Sequence, residues 1–74
     1  MADITLDTKG KKCPMPVLMT KKQLKKMAPG DVLTMIADDK GATKDVPALL
    51  NKIGDELLEM NEEGDVITFK IKKA

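Results

Sequence analysis

Two prolines separated by one residue, Pro14 and Pro16, restrict the folding of this chain more than any other local feature. Proline has no backbone N–H and its ring fixes φ, so it is tolerated in a helix almost only in the first turn. The first four N–H groups of a helix have no partner within that helix, and proline therefore costs no hydrogen bond there. The pair predicts that a helix begins here, with Cys13 as the N-cap and Pro14 as the first helical residue.

The first half of the chain predicts a strand, a helix and a second strand. Residues 3–7 alternate between polar and apolar side chains, which is typical of a short strand. The helix runs from Pro14 to Ala28 and ends before the Pro-Gly pair that follows. We expect its apolar face to contain Val17, Leu18, Leu24 and Met27. The second strand covers residues 31–39, with Leu33, Met35 and Ala37 toward the core.

A second helix is predicted from Thr43 or Asp45 to Ile53, with Gly54 as its C-terminal stop. Asp45 is the better N-cap, because Pro47 then falls in the first turn, where its missing N–H costs nothing. The apolar face of this helix should be formed by Leu49, Leu50 and Ile53.

Residues 56–73 predict a hairpin with its turn at Glu62–Asp65, where Gly64 can adopt a positive φ. In the first strand of the hairpin, Leu58 and Met60 alternate with Glu59. In the second strand the alternating apolar residues are Ile67, Phe69 and Ile71.

The predicted order of elements is βαβαββ. A strand–helix–strand unit is almost always parallel and right-handed, and two amphipathic helices can cover one face of a sheet. We therefore predict an α+β fold, a two-layer α/β sandwich. It has a four-stranded mixed sheet with both helices on one face, in a single domain of residues 1–74.

The composition removes several classes of function. The chain has no histidine and one cysteine, so a zinc or copper site and a histidine-activated nucleophile are not expected. There is no Trp or Tyr and one Phe, which leaves no aromatic platform for single-stranded nucleic acid. We expect no metal and no cofactor. No apolar run approaches the roughly 18 residues of a membrane span, and the N-terminus lacks the layout of a signal peptide. A cytoplasmic location is the resulting expectation.

The net charge of +1 hides a strong asymmetry. Residues 8–30 contain seven lysines and no acid, whereas residues 55–65 contain six acids and no base. Single surface lysines are usually only solvated, but this basic segment also contains the one cysteine. We predict a partner-docking surface formed by Lys9, Lys11, Lys12, Lys21, Lys22 and Lys25.

Cys13 combines two features that activate a thiol. A helix N-terminus and neighbouring lysines each lower the pKa of a cysteine below its free value of about 8.5, and the thiolate is the nucleophile. A single activated thiol without a base, a metal or a second cysteine can accept a sulfur atom as a persulfide or form mixed disulfides. Free cysteines are also often buried and inert, so a purely structural role for Cys13 is the alternative at this point.

The sequence "CPMP" after a short first strand resembles the CPxP motif of the TusA/SirA/YedF family of small sulfur-carrier proteins. "PGDVL", "ADDKGATKDVPALLNKIG", "ELLE" and the terminal hairpin extend the resemblance over nearly the whole chain. One departure is Lys40, where the family often has proline. The resemblance implies that Cys13 is the catalytic residue carrying persulfide sulfur and that Pro14 and Pro16 support it. It also implies a structural role for Asp45 and Pro47 in the second helix.

A sulfurtransferase of this kind would act as a relay between a sulfur donor, of cysteine desulfurase or rhodanese type, and a sulfur-acceptor protein. The end point would be tRNA thiolation, cofactor synthesis or another branch of sulfur metabolism. We expect a monomer. The alternatives are a regulatory or nucleic-acid-binding module that uses the lysines, and a purely structural or interaction domain. Direct nucleic-acid binding is disfavoured because the chain has no Arg, the usual bidentate reader of bases.

Overall fold

The computed structural model describes residues 2–12 and 14–74, and its elements follow the predicted order. Four strands form one mixed sheet in the spatial order β1-β2-β4-β3. The elements are β1 (Asp3–Asp7), α1 (Met15–Lys25), β2 (Val32–Ala37), α2 (Ala42–Ile53), β3 (Glu56–Glu63) and β4 (Val66–Lys72).

Residue pairing across the sheet places its apolar side chains on one face. β1 pairs with β2 in parallel, whereas β4 pairs with both β2 and β3 in antiparallel orientation. Directly paired residues project to the same side of a sheet, and successive residues alternate between the sides. Leu33 therefore lies beside Ile71, and Met35 lies beside Phe69. All four are fully buried, as Ile67 and Ala37 are, so the two central strands match their predicted alternation.

Both helices pack on this apolar face. The buried residues of α1 are Pro16, Thr20 and Leu24, at a spacing of four. Those of α2 are Ala42, Val46 and Leu50, at the same spacing. The buried apolar residues of both helices join those of β2 and β4 in a single cluster. The predicted fold, two layers with both helices on one face of a four-stranded mixed sheet, is confirmed.

The buried face of α1 differs from the predicted one. Leu18, expected in the core, is 52% exposed, and the helix is shorter than the predicted Pro14–Ala28. Thr20 takes the place of Leu18 in the core. It is fully buried, and its hydroxyl donates a hydrogen bond to the Pro16 carbonyl at 2.8 Å. That bond satisfies the only polar group of the side chain, so a threonine can lie in an apolar layer.

The second helix begins earlier than predicted. Gly41 is the N-cap, and Asp45 is the fourth helical residue instead of the cap. Two backbone hydrogen bonds start the helix. The Thr43 N–H donates to the Lys40 carbonyl at 3.1 Å, and the Asp45 N–H donates to the Gly41 carbonyl at 3.0 Å. Pro47 consequently lies inside the helix. Gly54 ends the helix as predicted, in a left-handed conformation with φ of 84°.

The core contacts of α2 also differ in part. Leu50 is buried as expected, but Leu49 is half-buried and Ile53 is exposed. Because α2 starts upstream of Asp45, its buried face includes Ala42. Val46, which lies within the predicted helix but outside its predicted apolar face, is buried as well.

The hairpin has a tighter turn and a less regular edge strand than predicted. The turn is only Gly64–Asp65, with φ of 59° at Gly64. The register shifts between Leu57 and Glu59, so that Leu58 is an extra residue without a partner in β4. Such a β-bulge interrupts the alternation of side chains. Leu58 is accordingly 45% exposed, and it is Leu57 that packs against the core. Met60 pairs with Phe69, but on the outer strand β3 it remains 46% exposed.

Two aspartates accept hydrogen bonds from residues at the two ends of the described chain. Asp31 accepts hydrogen bonds from the N–H groups of Ala2 at 2.9 Å and Ala28 at 3.0 Å. These two donors, that of Ala2 first, hold the pKa of the Asp31 carboxyl below its ordinary value. Asp55, whose side chain is buried, accepts a hydrogen bond from the Ala74 N–H at 3.0 Å.

The connections decide where the helices begin. β1 and β2 run in the same direction, and β2 and β3 are also parallel because each pairs in antiparallel fashion with β4. A connection between parallel strands must return along the sheet, and here α1 and α2 make those returns. Both helices therefore start at the same end of the sheet, the end at which β1 and β2 finish.

Two leucines of α1 provide a matched test of this packing. Leu24→Ala should lower the free energy of unfolding by roughly 2–5 kcal/mol, because Leu24 is 1% exposed and its loss leaves a cavity. Leu18→Ala in the same helix should change it by about 0.5 kcal/mol or less, as at other exposed positions. Urea unfolding of the two variants measures both values. Equal losses would contradict the packing of α1 described above.

Candidate functional site

The connection from β1 to α1, here called the β1–α1 loop (residues 8–14), is tied to the end of β2. Thr8 is fully buried, and both its N–H and its hydroxyl donate to the Ile36 carbonyl, at 2.7 and 2.6 Å. The N–H of Gly10 donates to the two carboxylate oxygens of Asp38, at 3.1 and 3.0 Å. Gly10 has φ of 86°, a left-handed conformation that residues with a side chain rarely adopt. The first part of the loop, residues 8–10, is therefore held against the end of β2.

The start of α1 is one residue later than predicted. Pro14 is the N-cap, and its carbonyl accepts the first helical hydrogen bond, from Leu18 N–H at 3.0 Å. Pro16 lies in the first turn, as the sequence required. The N-cap assigned to Cys13 falls on Pro14 instead, because a helix starts at the residue whose carbonyl receives its first bond. Cys13 itself lies outside the described residues.

The backbone N–H groups at this helix start are scarce. Pro14 and Pro16 have none, and the N–H of Met15 donates to the Lys12 carbonyl at 2.8 Å. The positive end of the helix dipole remains, and α1 carries no acid in its first turn. The electrostatic setting of this end of the helix is thus formed by the dipole and by the lysines near it.

The lysines predicted to dock partners are all exposed, but they are not one cluster. Lys11 and Lys12 directly precede Cys13 in sequence, and the ammonium of Lys9 lies 4.0 Å from the carboxylate of Asp7. The lysines within α1 begin six residues beyond its first residue, and a helix rises about 1.5 Å per residue. They therefore extend away from the loop as a stripe, formed by Lys21, Lys22 and Lys25.

A shallow groove of about 390 Å³ lies between the two helices, next to the helix start. We call it the helix groove. Pro14 and Val17 line it from α1, and the residues from α2 are Asp45, Ala48, Leu49 and Lys52. Those four α2 residues follow the spacing i, i+3, i+4, i+7 of one helix face. Sequence reasoning assigned Asp45 a structural role only and did not include Lys52. The spacing was available as a signal, but it could not reveal what the face lies against.

Neither a metal-binding cluster nor a membrane-spanning helix occurs in the described part of the chain. Among residues 2–12 and 14–74, no three carboxylate or other ligand side chains come close enough to hold a metal ion. Within the same ranges, neither helix is long and apolar enough to cross a membrane.

Comparison with known proteins extends over nearly the whole chain. Residues 4–73 match the family described as sulfurtransferase TusA. The chain is similar to the sulfur carrier protein TusA of Allochromatium vinosum, with 46% identity over 72 residues, which cover 97% of this chain and 95% of that protein. It is also similar to the crystal structure of a SirA-like protein from Desulfitobacterium hafniense, with a TM-score of 0.75 and 30% identity. That match covers 93% of this chain and 95% of the other.

The two prolines should contribute differently to stability. Pro14 is exposed, so Pro14→Ala should change the free energy of unfolding by only about 0.4–1 kcal/mol, through the unfolded chain. Pro16 is fully buried, and Pro16→Ala also removes two buried methylene groups at about 0.8 kcal/mol each, for a total loss of about 2 kcal/mol. Neither change removes a helical hydrogen bond.

Thermal and urea unfolding followed by circular dichroism would measure both losses, and the helical signal should be the same in both variants. If the two substitutions cost the same, the prolines would act only by restricting the unfolded chain.

Proposed function

The chain belongs to the sulfurtransferase TusA family, as its sequence indicated, and we propose that it is a sulfur carrier that holds sulfur as a persulfide on Cys13. The observation that carries the proposal is the match along residues 4–73 to a sulfurtransferase family, in a chain whose only thiol is Cys13. A carrier of this kind works in the cytoplasm, where thiols stay reduced.

The transfer needs no redox partner. The Cys13 thiolate attacks the outer sulfur of a donor persulfide, so that a new S–S bond forms on Cys13 and the S–S bond of the donor breaks. The donor leaves as a thiolate, and no atom is oxidised or reduced overall. An acceptor thiolate then attacks the outer sulfur on Cys13 in the same way and restores the original thiolate. Thiol–disulfide chemistry of this type uses a thiolate nucleophile and a thiolate leaving group, which agrees with a chain that has no histidine base.

Donor and acceptor are proteins that present a reactive sulfur in turn to Cys13. We propose a cysteine desulfurase or rhodanese-type donor, and an acceptor in tRNA thiolation, cofactor synthesis or another branch of sulfur metabolism. Both would approach the β1–α1 loop, where Lys11 and Lys12 are exposed and the helix groove opens. The basic charge favours partners with acidic surfaces around their reactive sulfur.

Sulfur loading tests the proposal directly. After incubation with a persulfide donor, the intact mass should rise by about 32 Da, and a reductant should reverse the gain. Cys13→Ser should abolish the gain while leaving the unfolding transition unchanged. A module that acts only through its lysines would lose nothing with this substitution, and it would show no reversible gain in the unchanged protein. The absence of loading on Cys13 would end the carrier proposal.

A second prediction distinguishes a local effect of Lys11 and Lys12 on partner association from the effect of net charge. Replacing Lys11 and Lys12 with Gln should slow association with an acidic partner roughly three- to tenfold at low salt, because the local attraction is lost. The matched control replaces Lys70 and Lys72, which are exposed on the face of the sheet opposite the helices. The control changes the net charge equally but should leave the rate nearly unaffected.

Stopped-flow transfer at low ionic strength and at about 1 M salt would give these rates, and high salt should remove the difference. Equal slowing in both pairs of variants would mean that only net charge matters, and the loop lysines would then be ordinary solvated residues.

A further inference from the structure

Asp38 joins the end of β2 to the β1–α1 loop. It directly follows the last residue of β2, and its carboxylate accepts the Gly10 N–H through both oxygens, at 3.1 and 3.0 Å. Gly10 lies only three residues before Cys13 in the sequence. Hydrogen bonds to a charged acceptor contribute more than neutral ones, so this contact is a substantial restraint on a short loop.

The restraint acts together with three other contacts of the loop. Thr8 holds the start of the loop on the Ile36 carbonyl, and the N–H of Lys11 returns to the Thr8 carbonyl at 3.1 Å. The Met15 N–H closes the far end on the Lys12 carbonyl. Asp38 therefore fixes the middle of the loop, between an anchored strand end and an anchored helix start. The described residues of the loop are therefore held on both sides of position 13.

We propose that Asp38 is a positioning residue for Cys13: its hydrogen bond to Gly10 keeps the sulfur-bearing segment close to the helix start and the loop lysines, where the thiolate is favoured. The proposal rests on the proposed function for its biological meaning. Its physical content is that the reactivity of Cys13 depends on an acceptor at position 38. Orientation of a nucleophile by such restraints is a general source of rate.

The charge of Asp38 by itself would act in the opposite direction. A carboxylate near a thiol disfavours the thiolate, so loss of the charge alone should make Cys13 more acidic. Hydrogen bonding and charge therefore predict shifts of opposite sign, and two substitutions separate them. Asp38→Asn keeps an oxygen that can accept the Gly10 N–H but loses the charge. Asp38→Ala loses both, so the difference between the two variants reports the hydrogen bond.

The first measurement is the rate of alkylation of Cys13 by iodoacetamide as a function of pH. The midpoint of the Asp38→Ala profile should lie about half a pH unit above that of Asp38→Asn, which makes alkylation at neutral pH about threefold slower. The difference should disappear about one unit above the ordinary thiol value of about 8.5, where both thiols are ionised. A simple loss of stability would not produce a difference that vanishes at high pH.

The second measurement is amide hydrogen exchange at Gly10, which should be several-fold faster in Asp38→Ala than in Asp38→Asn. Asp38 is exposed, so both variants should fold. If Asp38→Ala does not fold, Asp38→Ser replaces it, because the shorter side chain cannot reach Gly10. Equal alkylation midpoints in the two variants, or a lower midpoint in Asp38→Ala, would overturn the proposal.

The test stays separate from that of the proposed function. Loading with glutathione persulfide at neutral pH should show the same roughly threefold difference between the variants. If the unchanged protein takes up no sulfur, the carrier proposal fails, while the alkylation profile and the exchange rate still decide the role of Asp38. If loading occurs but the variants do not differ, only the role of Asp38 is rejected.

Discussion

Parallel strands cannot be joined by a tight turn, and this constraint organises the whole molecule. β1 and β2 are parallel, and so are β2 and β3, so each connection must cross back over the sheet. α1 and α2 make these crossings and cover one face, while the other face stays open. Both helices consequently begin at the end of the sheet where β1 and β2 finish. The β1–α1 loop, Asp38 and the helix groove meet at this end for the same reason.

The sequence predicts the fold well where one physical signal dominates. β2 and β4 are central strands with one buried face, so their alternation is regular and identifies Leu33, Met35, Phe69 and Ile71 as core residues. The glycine stop of α2 is equally local, since Gly54 adopts the left-handed conformation that a helix end favours. Such features need no knowledge of the rest of the chain.

The wrong predictions share a different cause, which is tertiary context. Thr20 is polar and lies outside the predicted apolar face, yet it is buried because the Pro16 carbonyl satisfies its hydroxyl. The start of α2 was assigned from Asp45 and Pro47, although turns at residues 39–43 begin the helix earlier. The bulge at Leu58 gives no clear sequence signal. For the candidate site, the sequence alone suggests Cys13 and the prolines, and the role of Cys13 stays a prediction. Asp38 and the helix groove depend on contacts between distant elements.

The prolines that fix the start of α1 affect how the proposed carrier would release sulfur as well as how it would bind it. Across residues 14–16 the helix offers no amide hydrogen to a neighbouring anion, since two residues are prolines and the Met15 N–H is already donated to Lys12. For a thiolate beside this turn, residues 14–16 supply the diffuse field of the helix dipole and no directed hydrogen bond. Strong hydrogen bonds to the thiolate would lower the pKa of the thiol further and reduce its nucleophilicity. Such weak stabilisation suits the proposed carrier role, because a persulfide on Cys13 must be released as readily as it forms.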